Sequence, residues 1–183
     1  MKFKSTVTAL LAVASISLPT GAFAQDRLAD LLDKLAEAES AAIAARLERD
    51  VQREWSKSGS AAMDLLLKRG QDALEVDDLP AALDHLTALT DHAPDFAEGW
   101  HALALAYYQS ERFGPAMDAL ERTLALNPDH FGALRGVGAV MEQVGQPERA
   151  YDAYSRVLAL RPFDEDVQAA LDRLEVRVKG TSL

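Results

Sequence analysis

Four histidines, at positions 85, 92, 101 and 130, are the side chains best suited to acid–base or metal chemistry. His85 and His92 stand two helical turns apart and share a face. Helical zinc sites usually space their ligands by three or four, and no third ligand accompanies this pair, so no metal is expected. All four histidines read as solvent-facing or partly packed. The serines flanking Gly59 do not form a Gly-x-Ser-x-Gly elbow, and no strand precedes them. Gly136-Val137-Gly138 falls within a helix, where it serves packing rather than a phosphate loop. The carboxylates fall on exposed helix faces and in turns. The chain has no cysteine, which excludes disulfides, thiolate metal sites, a cysteine nucleophile and a lipidated N-terminal cysteine. The expectation is a protein without catalytic residues or cofactor, and not an enzyme.

The elements that carry these residues are helical. The chain has 183 residues, 49% of them hydrophobic, enough for one domain or a short repeat array with a sizeable core. Aromatics are few and alanine is abundant, which favours closely packed helices. With 29 acidic against 19 basic residues, the chain repels nucleic acid and anionic lipid surfaces, so neither is expected as a partner.

The N-terminus has the parts of a secretory leader. Lys2 and Lys4 precede an apolar stretch from Val7 to Leu18, and Ala22-Phe23-Ala24 supplies a small-residue cleavage site. Residues 1–24 are therefore expected to be removed after Ala24. The apolar stretch is short and carries Thr8, Ser15 and Ser17, too little for a span of ~20 residues. No twin-arginine pair is present, so general secretion to a bacterial periplasm is the expected route. No later apolar run is long enough to cross a bilayer.

A repeat of 34 residues organises the centre. Pro94, Pro128 and Pro162 fall on this spacing, as do Gly70, Ala104 and Gly138, and Ala82, Ala116 and Ala150. The same shift aligns Leu86, Leu120 and Tyr154, then Leu66, Trp100 and Leu134. Each unit reads as two helices. Trp100, Leu103, Ala104 and Tyr107 recur at helical spacing, a turn follows at Glu111 to Gly114, and Pro115 opens the second helix. Turns are also expected near Asp77-Asp78 and Gly145-Gln146. The small-residue columns let two helix backbones approach, and each unit needs neighbours to bury its faces.

The pattern Trp100-x-x-Leu103-Ala104-x-x-Tyr107, with Ala116, Leu120 and Pro128, closely resembles the tetratricopeptide repeat family. The resemblance covers about residues 61 to 164. It implies an all-α, right-handed solenoid of about three helix pairs, in units 61–94, 95–128 and 129–162. Residues 163–179 form an expected capping helix with Val167, Ala170, Leu171, Leu174 and Val178 on its buried stripe. Residues 25–60 form an N-terminal helical segment with stripes Leu28, Leu31, Leu32, Leu35 and Ile43, Leu47, Val51, Trp55. A break near Glu39-Ser40 makes it a hairpin; without the break it is one long helix, and a decayed fourth repeat is a further reading. Ser60 is the expected N-cap of the first repeat. The stretch from Trp55 to Ser60, followed by Asp64-Leu65-Leu66 and Arg69-Gly70, is similar to the start of small exported tetratricopeptide proteins of alphaproteobacteria.

The resemblance also implies a concave groove lined by the first helix of each repeat. Its positions are Leu67, Gln71, Leu74 and Glu75; Glu98, His101, Leu105, Tyr108 and Gln109; and Arg135, Ala139, Glu142 and Gln143. Leu67, Leu74, Leu105 and Tyr108 are apolar on a face that the core does not need, which points to a protein or peptide partner. The family's clamp for acidic chaperone C-termini uses paired Lys and Asn, whereas this face offers one cation, Arg135. Two alternatives stand beside an open groove: residues 26–57 cover it, or they join two copies into a homodimer. An enzyme or ligand carrier, with histidines and carboxylates forming a small-molecule site, is the rival of a different class.

Overall fold

The computed structural model describes residues 20–180, and every regular element among them is an α-helix. The expected leader lies outside the described residues up to position 19. The helices are α1 Thr20–Ala36, α2 Ala41–Trp55, α3 Ala61–Glu75, α4 Leu79–His92, α5 Ala97–Gln109, α6 Phe113–Leu126, α7 Phe131–Gln143, α8 Pro147–Leu160 and α9 Glu165–Gly180. Helices α3/α4, α5/α6 and α7/α8 pack as pairs, and α4 on α5, α6 on α7 and α8 on α9 join them in series. Among the described residues, no helix is long and apolar enough to cross a membrane.

The backbone repeats as faithfully as the sequence. Asp77, Glu111 and Gly145 lie 34 residues apart, and all three take the left-handed conformation, at φ 59°, 57° and 74°. The next amide then reaches back into the helix just ended: Asp78 to Ala73 at 2.9 Å, Arg112 to Tyr107 at 2.8 Å and Gln146 to Met141 at 2.8 Å. This closes three otherwise unsatisfied carbonyls in the manner of a Schellman motif. A second recurrence ties one repeat to the next. Arg122 donates to the Pro94 carbonyl and Arg156 to the Pro128 carbonyl, each at 3.3 Å.

Within each pair the small columns do what their size allows. Ala82, Ala116 and Ala150 are fully buried. A Cβ added at Gly70 would overlap Leu86, and one added at Gly138 would overlap the Tyr154 ring. The three large residues Leu86, Leu120 and Tyr154 thus fill the crossing that the first helix leaves open.

Residues 25–60 form a hairpin. The chain breaks after Ala36, and Ser40 caps α2 by accepting from the Ile43 amide. One long helix is therefore ruled out. The buried face of α2 is Ala44, Leu47, Val51 and Trp55, while Ile43 is 46% exposed. The expected run of fours drifts about 40° per step, whereas Ala44 to Trp55 spans 11 residues, within about 20° of three full turns. The hairpin does not extend the array as a fourth repeat would. Helix α1 packs on α8, and Leu35, Leu47, Val51 and Trp55 share a core with α5 to α9 rather than with α3 and α4. Glu48 of α2 pairs with Arg161 at 2.7 Å.

Ser60 occupies the N-cap position of α3 without making the capping bond. Asp64 instead accepts from the Ser58 amide and hydroxyl. At the other end, Val167, Ala170, Leu171 and Leu174 of α9 are buried as expected, whereas Val178, expected on the same stripe, is only partly covered.

Close approach gives a direct test. Gly138→Ala should cost about 1–3 kcal/mol by overpacking against Tyr154. Gly114→Ala meets nothing within 4 Å and should be neutral or stabilising by under ~1 kcal/mol. Urea unfolding of the two variants should separate them; equal effects would mean that the helix crossing is not tight.

Candidate functional site

The first helices of the repeats, α3, α5 and α7, present two connected concavities. One, of about 480 Å³, lies between α5 and α7. Its walls are His101, Leu105, Tyr108, Arg135 and Ala139, all expected groove positions. Its floor is one the sequence did not reveal: Ala104, Gly132 and Gly136 expose Leu120 and Tyr154 from the second helices. Gly132 and Gly136 stand one turn apart on the groove face of α7, so their pattern was visible, but its meaning depended on what lay behind them. A Cβ at Gly136 would come within 2.8 Å of Leu120, and one at Gly132 within 2.8 Å of the His101 ring. The other concavity, of about 460 Å³, is lined by Gln71, Leu74, Glu75, Leu105 and Gln109. Leu105, 39% exposed, belongs to both. No described residue of the α1–α2 hairpin lines either one.

Three expected groove residues are engaged elsewhere. Leu67 is 2% exposed and sits in the core with Leu86, Leu89 and Leu103. Its face is needed for α3 to pack on α5, so it is not a surface anchor. Glu142 accepts from the Tyr154 hydroxyl at 3.0 Å and from Arg173 of α9 at 2.9 Å. Burial raises the pKa of Tyr154, and the acceptor Glu142 beside it adds to the rise. The third is Glu98, the centre of a polar cluster. Arg135, by contrast, is half exposed and approaches the exposed Asp166 at 3.5 Å.

Glu98, His101 and His130 converge, although 32 residues separate Glu98 from His130. His130 occupies the N-cap of α7, where its Nδ1 accepts from the Ala133 amide at 3.1 Å. The equivalent position 34 residues later is Asp164, which accepts from the Val167 amide before α9. Since Nδ1 accepts, the neutral ring must carry its proton on Nε2, and Nε2 donates to Glu98 at 2.9 Å. His101 Nδ1 approaches the other Glu98 oxygen at 3.5 Å. Burial pushes the Glu98 carboxyl upward, but hydrogen bonds from the two imidazoles outweigh it and bring the group down to about 2.

The three groups lie close enough together to suggest a metal. The donor set does not fit one. Metal-bound imidazoles donate from the nitrogen that does not touch the ion. Here that nitrogen of His130 faces an amide donor, so an ion on Nε2 would break the helix cap. The arrangement is a hydrogen-bonded anchor joining α5 to α7. His85 and His92 take no part in it.

Sequence comparison agrees with this architecture. The tetratricopeptide repeat model matches residues 97–130. A TPR repeat-containing protein of Rhizobium etli is 30% identical over 156 residues, which is 85% of this chain and 76% of that protein. Among solved structures, the crystal structure of MamA protein superposes with a TM-score of 0.60 at 22% identity, covering 87% of this chain and 84% of that one. The first TPR of Spaghetti (RPAP3), bound to an HSP90 peptide, gives 0.62 at 23%, covering 64% and 93%.

Glu98 predicts a pH dependence. Its carboxyl titrates at about 2 in the fold and at 4.5 when unperturbed, so its contribution to stability is complete above 4.5 and lost as pH falls toward 2. The stability difference between the parent chain and Glu98→Gln should shrink by on the order of 3 kcal/mol across that interval. Urea unfolding at several pH values measures it; a constant difference would show that Glu98 is not held ionised.

Proposed function

Because the chain belongs to the tetratricopeptide-repeat family, we propose that it is a non-catalytic adaptor that binds a peptide or protein partner in the groove of α3, α5 and α7. The observation that carries this reading is the pair of open, largely apolar concavities joined at Leu105 and left free by the hairpin. The RPAP3 domain was solved with a peptide, which supports the reading by analogy. The recess floored by Leu120 and Tyr154 fits a bulky apolar anchor side chain. Gln71 and Gln109 offer hydrogen bonds to an extended backbone beside it. The recess holds His101, Tyr108 and Tyr154 but no nucleophile–base pair, which weighs against an enzyme.

In this reading the units 61–94, 95–128 and 129–162 wind as a right-handed solenoid, with 163–179 as its cap. The chain is exported to the periplasm with cleavage after Ala24, and the adaptor works among envelope proteins. Kinship with an alphaproteobacterial protein is consistent with such a setting. Self-association through residues 26–57 is less favoured, because Leu35, Leu47, Val51 and Trp55 are buried within their own chain.

A photo-reactive residue in place of Tyr108 should capture one dominant partner in the native cells. Leu105→Glu should reduce that capture at least tenfold without changing the helical circular dichroism. Capture of residues 26–57 alone would overturn the groove reading. Separately, the protein recovered from the periplasm should begin at Gln25 by mass spectrometry; an intact residue 1–24 segment would refute cleavage.

A further inference from the structure

We propose that His130 is an acid-sensitive latch for the α1–α2 hairpin: protonating its ring releases Trp55 and lets the hairpin leave the repeat stack. Trp55, the last residue of α2, lies flat on the His130 ring, with centroids 4.3 Å apart and planes at 16°. It also meets Phe131 at 4.6 Å. The aromatic anchor of the hairpin therefore rests on a titratable ring.

That ring has no place for a second proton. Nε2–H already serves Glu98, and Nδ1 accepts from the Ala133 amide. An imidazolium would put N–H against N–H at Nδ1, so the ring must turn or the cap must break. The ring is 1% exposed. Burial lowers its pKa below the ordinary 6.5, the Glu98 carboxylate opposes that shift, and repulsion from His101 adds to it. The charged and titratable groups facing His130 are Glu98 and His101, both from α5. From α2 it meets the uncharged Trp55, and from α7 the Ala133 amide and Phe131.

The sign follows by linkage. Any conformation that exposes His130 binds the proton at the ordinary value, while the docked form binds it only at lower pH. The docked state is fully favoured above 6.5 and loses ground as pH falls below it. The hairpin is the element with least to lose. The second and third repeats are packed on both sides, by α4 and α7 and by α6 and α9, whereas α1–α2 lacks the stacking on α3 that a preceding repeat would have. Its attachments include the Trp55 stack, the Glu48–Arg161 pair and the packing of α1 on α8. Local opening at the least supported element is the general expectation. Release uncovers Leu47, Val51 and Trp55, together with Phe131, so acid turns an internal apolar face into an accessible one.

The chain has no cysteine, so two spin labels can be placed cleanly in the full protein at exposed Arg49→Cys on α2 and Glu121→Cys on α6. Pulsed electron resonance should give one narrow distance distribution at pH 8. A broader, longer population should grow reversibly as pH falls below 6.5, while helical circular dichroism is retained. His130→Asn keeps a capping side chain that does not titrate and should abolish the change. His101→Gln should retain it with a midpoint at higher pH, because a source of repulsion is gone. An unchanged distribution down to pH 5, a change that persists in His130→Asn, or a change that coincides with loss of helicity would each overturn the latch. Should His130→Asn not fold, the direction of the His101→Gln shift decides.

Discussion

The structure depends on how closely the two helices of each repeat approach. That distance is set where Gly70, Ala104 and Gly138 face Leu86, Leu120 and Tyr154. A larger side chain at the first set of positions would push the pair apart, and a small one at the second would leave a void. Once the crossing is fixed, the left-handed turn at Asp77, Glu111 and Gly145 follows as the short way to reverse the chain. The proline corners then bring the next pair into register, where Arg122 and Arg156 hold the carbonyls of Pro94 and Pro128. Stability in such an array is a sum over neighbours, so a fault at one crossing is felt by the adjacent repeats.

The same close approach shapes the groove. Small residues on α5 and α7 bring the second-helix side chains Leu120 and Tyr154 to the concave surface, so a ligand there meets both helices of a repeat. Two of the carboxylates that would charge this surface are tied down instead. Glu142 is held by Tyr154 and Arg173, and Glu98 by two histidines. An acidic chain thereby keeps a largely apolar groove.

Glu98 and His130 link this groove to the hairpin. His101 forms part of the recess wall and leans on Glu98, Glu98 holds His130, and His130 carries Trp55. A buried carboxylate is tolerated because imidazole donors surround it, and the neutral His130 is tolerated because both its nitrogens are used. Such a network is intolerant of an added proton, which is why one titrating ring bears on an element far from it in the chain.

The 34-residue period, the helix pairs, the turns and most of the buried stripe of α9 were legible in the sequence because they rest on local chemistry. Helical spacing, proline and small-residue columns act within a few residues of themselves, and repetition multiplies the signal. The break at Ser40 was legible for the same reason. Groove positions such as Leu105, Tyr108 and Arg135 could be located from the register, but their freedom could not. Leu67, Glu98 and Glu142 have the same register and are consumed by neighbours that lie far off in the chain. The placement of α1–α2 on α7, α8 and α9, and the meeting of Glu98 with His130, were likewise hidden. Sequence by itself determined what each segment would become, because that is decided by contacts a turn or a repeat away. The tertiary structure alone decided which side chains remain free to act, because burial and hydrogen bonding depend on partners that no spacing rule connects.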